Sequence, residues 1–266
     1  MLSDEQKREF VRDGYLVIED GIDEPLVDEG SAQIWEAVPE EPDDPESLLG
    51  VGSRTPDVPS DEPFMTVKRR LYEYCAEMVG EALVAPTEPG MQLALRYPQE
   101  RRLDTYHDRR PLTGHLDGYG PGYKESGEYS TWEVAAVVYF DDVVDRGGGF
   151  TVWPGSHWVA AEYFEEHALN TLGYAVTLPA IDDEGGWDRN HLLCNQIRSR
   201  ELNYDAGTVI LWHNKIMHTS GVNQSPNVRM AGICRFSRED QRDIFEDAAD
   251  KPFKYWDGVA DVDLED

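Results

Sequence analysis

Apolar positions in this chain change their period once. Through roughly the first third they recur every three or four residues, the spacing of a helix with one buried face. Ser3 followed by Gln6 is a capping box, Phe10 and Val11 supply the apolar face, and Gly14 is a natural stop, so a short helix opens the chain. Tyr15–Ile18 then reads as a strand, and a second helix is predicted from about 24 to 38. The stretch 39–63, dense in Pro, Asp and Glu, is expected to be loop. A third helix is predicted over 66–84, where Val67, Leu71, Tyr74, Cys75, Met78 and Val79 line one side.

From about residue 90 the pattern becomes short β-branched or alternating runs divided by turn residues: 91–97, 131–140, 150–153, 208–212 and 228–236. Strands so spaced predict a β-sandwich or barrel. Gly- and Pro-rich loops, notably 118–127, 147–149 and 182–190, separate them and are long enough to carry a site. No internal repeat interrupts the pattern. The expected organisation is one domain over 1–266: a mostly helical flank to residue 89, a β core over 90–240 and an acidic extension over 241–266.

Composition narrows the function. Asp and Glu number 53 against 24 Lys and Arg, a formal net charge of −29. Binding nucleic acid or an anionic membrane surface depends on neutralising phosphates with cations, so neither is an expected partner. Only six of the cations are Lys, and acid excess with Lys poverty points to a high-salt cytoplasm, where roughly 3 Å of Debye length at 1 M salt screens the self-repulsion. The plainer alternative is an ordinary acidic protein. Cys75, Cys194 and Cys234 are odd in number and widely spaced, which fits a reducing interior rather than a disulfide framework. Nine charges in the first 20 residues leave no secretory apolar segment, and the longest apolar run, 134–140, is far too short to span a bilayer, so a cytoplasmic location is expected.

Candidate chemistry begins at His115-Leu116-Asp117. In extended backbone, residues i and i+2 share a face, so imidazole and carboxylate can reach one metal. Chance alone supplies roughly 0.7 such tripeptides in a chain of this composition, so context has to raise the signal. The motif follows a turn and leads into Gly118-Tyr119-Gly120-Pro121-Gly122, a rim rather than a core strand. A third ligand is required, and His218 is the best candidate, after the apolar run Val209–Trp212 and before Thr219-Ser220-Gly221. Two His and one carboxylate form the facial triad of non-haem Fe(II) oxygenases, whose open positions take a 2-oxo acid and dioxygen. Arg229, eleven residues beyond His218, is suited to grip the far carboxylate of 2-oxoglutarate, because its planar fork bonds a carboxylate in bidentate fashion and keeps its charge. Ser220 can add a hydroxyl to the same carboxylate.

On these residues the chain resembles the phytanoyl-CoA dioxygenase family of Fe(II)- and 2-oxoglutarate-dependent oxygenases. The resemblance includes the opening Leu2–Gln6 with Gly14–Val17, the His115-x-Asp117 pair, Gly148-Gly149 with Pro154–His157, and above all His213–Asn223 followed by Arg229. It implies iron on His115, Asp117 and His218, 2-oxoglutarate on Arg229 and Ser220, and a double-stranded β-helix (a cupin-like jelly roll) with flanking N-terminal helices. The implied reaction is hydroxylation of a small organic substrate with release of succinate and CO2. Leu116 departs from the family, which commonly has Gln there. Asp117, where related halogenases have Ala or Gly, leaves no halide position. Acyl-CoA is the family's namesake substrate, but no CoA site is marked in the sequence.

Other residues carry weaker signals. His157 reads as a turn residue, and His213 lacks the Ser-Gly turn that follows His218. Arg96, Arg101, Arg102, Arg109 and Arg110 form a basic cluster that reads either as a solvated loop paired with Glu100, Asp104 and Asp108 or as a rim drawing an anionic substrate to the iron. Trp153, Trp212 and Tyr119 read as core, with a substrate pocket as the alternative. A metal-binding jelly roll without turnover, a sensor or scaffold, is the competing functional class.

Overall fold

A computed structural model of the chain describes residues 1–57, 62–88, 90–99, 114–117, 132–166 and 197–264. The first helix, α1 (Asp4–Asp13), has the expected capping box, with the Ser3 hydroxyl accepting from the Gln6 N–H and the Gln6 side chain accepting from the Ser3 N–H. Gly14 ends it at φ +80°, a left-handed turn that costs glycine nothing. Its Cα also touches the core so closely that an added Cβ would sit 2.4 Å from His157 Nδ1. β1 (Tyr15–Ile18), α2 (Glu24–Glu36) and α4 (Phe64–Val79) follow at close to their predicted positions.

The acidic stretch 39–63 differs from expectation. It holds a short helix, α3 (Pro45–Leu48), opened by Asp44 and Pro45, and a two-residue strand, β2 (Ser53–Arg54). Arg54 bonds the largely buried Glu40, which gives this polar segment the anchor that its apolar content does not supply.

Two antiparallel sheets make the jelly roll. β3 (Gln92–Arg96), β4 (Val134–Tyr139), β7 (Val209–His213) and β9 (Arg229–Phe236) form the larger with β1 and β2, in the order β1-β7-β4-β9-β3-β2. The smaller has the order β6-β5-β8, from β5 (Phe150–Val152), β6 (Arg200–Leu202) and β8 (His218–Ser220). The larger sheet is buried on both faces, which is why β4 reads as an unbroken apolar run. Val134, Ala136 and Val138 pack outward with Phe10, Ile34, Val67 and Leu71 of the helices. Ala135, Val137 and Tyr139 face inward with Phe150, Val152, Leu202 and Trp212. The Tyr139 hydroxyl ties the sheets together, donating to Leu202 O at 2.7 Å and accepting from the Phe150 N–H at 2.9 Å.

Both ends of the chain join this core. β1 pairs with β7, Tyr15 opposite Trp212, so the N-terminal flank supplies a sheet edge. Phe253 and Trp256 pack on Phe10 with centroids 6.2 and 5.5 Å away. The helix α5 (Ser156–Glu166) and the single turn α6 (Gln241–Ile244) have no counterpart in the sequence expectation, and Ser156–His157 opens α5 rather than only closing a turn. Cys75 and Cys234 are buried free thiols. No helix among the described residues is long and apolar enough to cross a membrane. Cys194 and the Gly-rich segments 118–127 and 182–190 lie outside the described residues.

Candidate metal centre

His218 begins β8, and His115 pairs with it as an extra rung on the small sheet. The His115 N–H donates to His218 O at 3.0 Å and the His218 N–H to His115 O at 3.1 Å, which brings the two rings to a centroid separation of 4.5 Å with their planes tilted by 50°. Gly114 makes this approach feasible, since a Cβ there would meet Trp153 at 2.6 Å and His218 O at 3.0 Å. Alternation then separates the tripeptide. Leu116 is fully buried in a small apolar cluster with Trp153, Ala160 and Met217, while Asp117 returns to the face of His115. Leu116 is therefore an apolar anchor between the two candidate ligands His115 and Asp117.

The donor atoms of His115, Asp117 and His218 all lie within 4.8 Å of one another. His115 Nε2 is 3.2 Å from Asp117 Oδ1, and His218 Nε2 is 3.8 Å from Asp117 Oδ2. His218 Nδ1 lies 3.0 Å from Ile216 O. A carbonyl only accepts, so Nδ1 carries the proton and Nε2 offers a lone pair to a metal. Burial, reinforced by the nearby His115, pushes His218 down to about 4 and keeps it neutral, as a ligand must be. Burial alone would raise the Asp117 carboxyl; the hydrogen bond from His115 and the electrostatic influence of the neighbouring His218 and Arg235 overrule it and hold Asp117 well below the usual carboxylate range. Two imidazoles and one carboxylate with their donor atoms this close together fit a divalent transition metal with positions left open.

Arg229 stands on the inward face of β9, 2% exposed. Its Nε donates to Gly148 O at 3.1 Å and its Nη2 to Ser220 Oγ at 3.0 Å, so two of its five N–H groups are used. Burial lowers it to about 10, still protonated at neutral pH. Ser220 lies two residues beyond His218 on the short strand β8, so the candidate ligand His218 and the hydroxyl bonded to Arg229 share one element.

Arg235 is the site residue that the sequence reading missed. It donates to Asp117 Oδ2 from Nε at 3.1 Å and from Nη2 at 2.8 Å. The available signal was parity: six residues from Arg229 in the same strand, it falls on the same face. Histidines that the sequence set aside are elsewhere. His213 is buried, stacked on Trp256 and bonded through Nε2 to Pro252 O, and His157 bonds Val11 O. Trp153 and Trp212 are core residues, Trp212 packing on Phe150 and on the His218 ring. Of the basic cluster, Arg96 is described and sits opposite Arg229 in the β3–β9 register. Arg101, Arg102, Arg109, Arg110 and Tyr119 lie outside the described residues, as do His107, His167 and His191.

Known proteins resemble the chain in two ways. The sequence model of phytanoyl-CoA dioxygenase matches residues 127–231, a stretch that starts after Asp117 and contains His218, Ser220 and Arg229. Similar solved structures include HygX from Streptomyces hygroscopicus with nickel, 2-oxoglutarate and hygromycin B bound, at 16% identity over 90% of this chain and 88% of that one, with a TM-score of 0.56. EctD from S. alaskensis in its apoform has 18% identity over 90% and 78% of the two chains and a TM-score of 0.56. SnoK, a non-haem α-ketoglutarate-dependent carbocyclase from nogalamycin biosynthesis, has 18% identity over 89% and 84% and a TM-score of 0.53. No curated protein matches the chain by sequence. The stretch from 127 to 231, with His218 and Arg229 inside it, is thus similar to phytanoyl-CoA dioxygenase sequence, and the fold around it is similar to those of HygX, EctD and SnoK.

Proposed function

We propose that the chain is an Fe(II)- and 2-oxoglutarate-dependent dioxygenase that hydroxylates a small organic substrate, releasing succinate and CO2. The observation that carries this reading is the convergence of His115, Asp117 and His218 beside a buried guanidinium with spare donors. HygX with nickel and 2-oxoglutarate, and EctD with 2-oxoglutarate and 5-hydroxyectoine, support the choice of metal and co-substrate class.

Each residue has a defined task. His115, Asp117 and His218 would hold Fe(II). Arg229, with the Ser220 hydroxyl beside it, would bind the distal carboxylate of 2-oxoglutarate, the anion for which no carboxylate among the described residues substitutes at ion-pair distance. Fixing both ends pre-orients the co-substrate. Phe150 and Trp212 wall the His218 side and exclude water. With metal and co-substrate bound, the centre supplies oxidation by dioxygen coupled to decarboxylation of the oxo acid. Arg96, a partly buried cation opposite Arg229, favours an anionic substrate. The acidic, Lys-poor composition favours a high-salt cytoplasm.

The test is anaerobic addition of Fe(II) and 2-oxoglutarate, read by the iron-to-oxo-acid charge-transfer absorbance, followed by succinate release in air with a substrate panel. Metal binding without absorbance or succinate would instead favour the sensor or scaffold class.

A further inference from the structure

Arg235 does more than neutralise a neighbour. Two of its N–H groups converge on a single oxygen, Asp117 Oδ2, at 3.1 and 2.8 Å. Its remaining arm, Nη1, donates to Gln92 Oε1 at 2.8 Å, and the guanidinium carbon lies 5.9 Å from the Trp132 ring centroid. The fork is therefore braced by Gln92 of β3 and by one aromatic face. The other oxygen, Oδ1, is turned to His115 Nε2 at 3.2 Å.

A carboxylate ligand binds a metal through one oxygen or through both. In a six-coordinate centre, two imidazoles and a single oxygen leave three positions, enough for a chelating oxo acid and dioxygen together. A two-oxygen carboxylate leaves two, and the chelate and dioxygen then compete. We infer that Arg235 is a positioning residue that occupies Asp117 Oδ2 and so restricts Asp117 to one-oxygen ligation, keeping the third position open. This inference rests on the proposed metal site. Its signature is a split: removing Arg235 takes a positive charge away from the metal and frees a second donor, so metal binding is preserved or tightened while the co-substrate loses room.

The experiment compares wild type with Arg235→Met and Arg235→Lys. Anaerobic titration gives Fe(II) affinity, then 2-oxoglutarate affinity through the charge-transfer absorbance; separately, water-proton relaxation of the Mn(II)-loaded chain counts exchangeable waters on the metal. In Arg235→Met, metal affinity should hold or rise, 2-oxoglutarate affinity should fall on the order of tenfold, the size by which outer-shell partners act, and about one exchangeable water should be lost. Arg235→Lys, which keeps a point charge over Trp132, should show the same split at smaller size and serves if the Met variant does not fold. Parallel loss of metal and co-substrate, or an unchanged water count, overturns the inference. If wild type binds Mn(II) but never 2-oxoglutarate, the dioxygenase reading fails, while the relaxation comparison still decides the role of Arg235.

Discussion

Arg229 and Ser220 share a 3.0 Å hydrogen bond across two strands that belong to different sheets, so the proposed grip on the co-substrate spans the interior of the jelly roll. An Arg229→Leu variant should bind Fe(II) normally and lose about 2 kcal/mol of 2-oxoglutarate binding, the scale of a hydrogen bond to a charged group, or roughly 30-fold in affinity. Ser220→Ala should cost less, because Gly148 O still orients the guanidinium. Titration of both variants checks this, and equal loss of metal in Arg229→Leu would contradict the assignment.

Metal should stabilise the fold through three particular side chains. At a metal concentration 100-fold above the dissociation constant, linkage contributes about 2.7 kcal/mol. His115→Ala and His218→Ala should abolish the rise in melting temperature on adding Ni(II) or Fe(II). His213→Asn should lower the starting temperature, because the Pro252 bond and the Trp256 stack are lost, yet keep the metal-dependent rise.

Acid should destabilise the chain before most carboxylates titrate. Burial holds His157 down at about 4 and His213 well below its ordinary value. The unfolded chain takes up these protons near pH 6.5 while the folded chain does not, so their stabilisation is complete above that pH and is lost as pH falls toward 4. For His157 the loss approaches about 3 kcal/mol. Urea unfolding of the metal-free chain across this window should show the decline, and His157→Gln, which gains no proton, should make it shallower by the share of His157, with His213 and His218 carrying the rest.

Gly14→Ala tests the joint between α1 and the core. The left-handed φ of +80° and the 2.4 Å approach to His157 Nδ1 both oppose a Cβ. The substitution should cost about 2 kcal/mol or more, read as a lower melting temperature. An unchanged temperature would mean that α1 relaxes away from His157.

Much of this was legible in the linear pattern. The Ser3–Gln6 box, the Gly14 stop and the helical stripe from Val67 to Val79 are local signals, and the structure has each close to where the sequence put it. That His115, Asp117 and His218 come together was legible because their chemistry is rare and their context specific. α5 and the strand β6 were not, since α5 has no clear apolar stripe and β6 is three residues long, held by pairing with Phe150–Val152 rather than by its own propensity. Nor was the folding-in of the C-terminal segment, an expected acidic extension whose Phe253 and Trp256 close over α1.

By itself, the sequence determined which side chains have the chemistry proposed for a metal and an oxo acid, because ligand chemistry resides in residue type and two-residue spacing in residue parity. Tertiary structure alone decided that His115 meets His218 as a backbone rung, that Leu116 turns into the core, and that Arg235 reaches across 118 positions to one oxygen of Asp117. Those relationships depend on strand register and on which face a strand presents to its partner sheet. Both are set by burying apolar surface on two sides at once, a condition that only the assembled fold imposes.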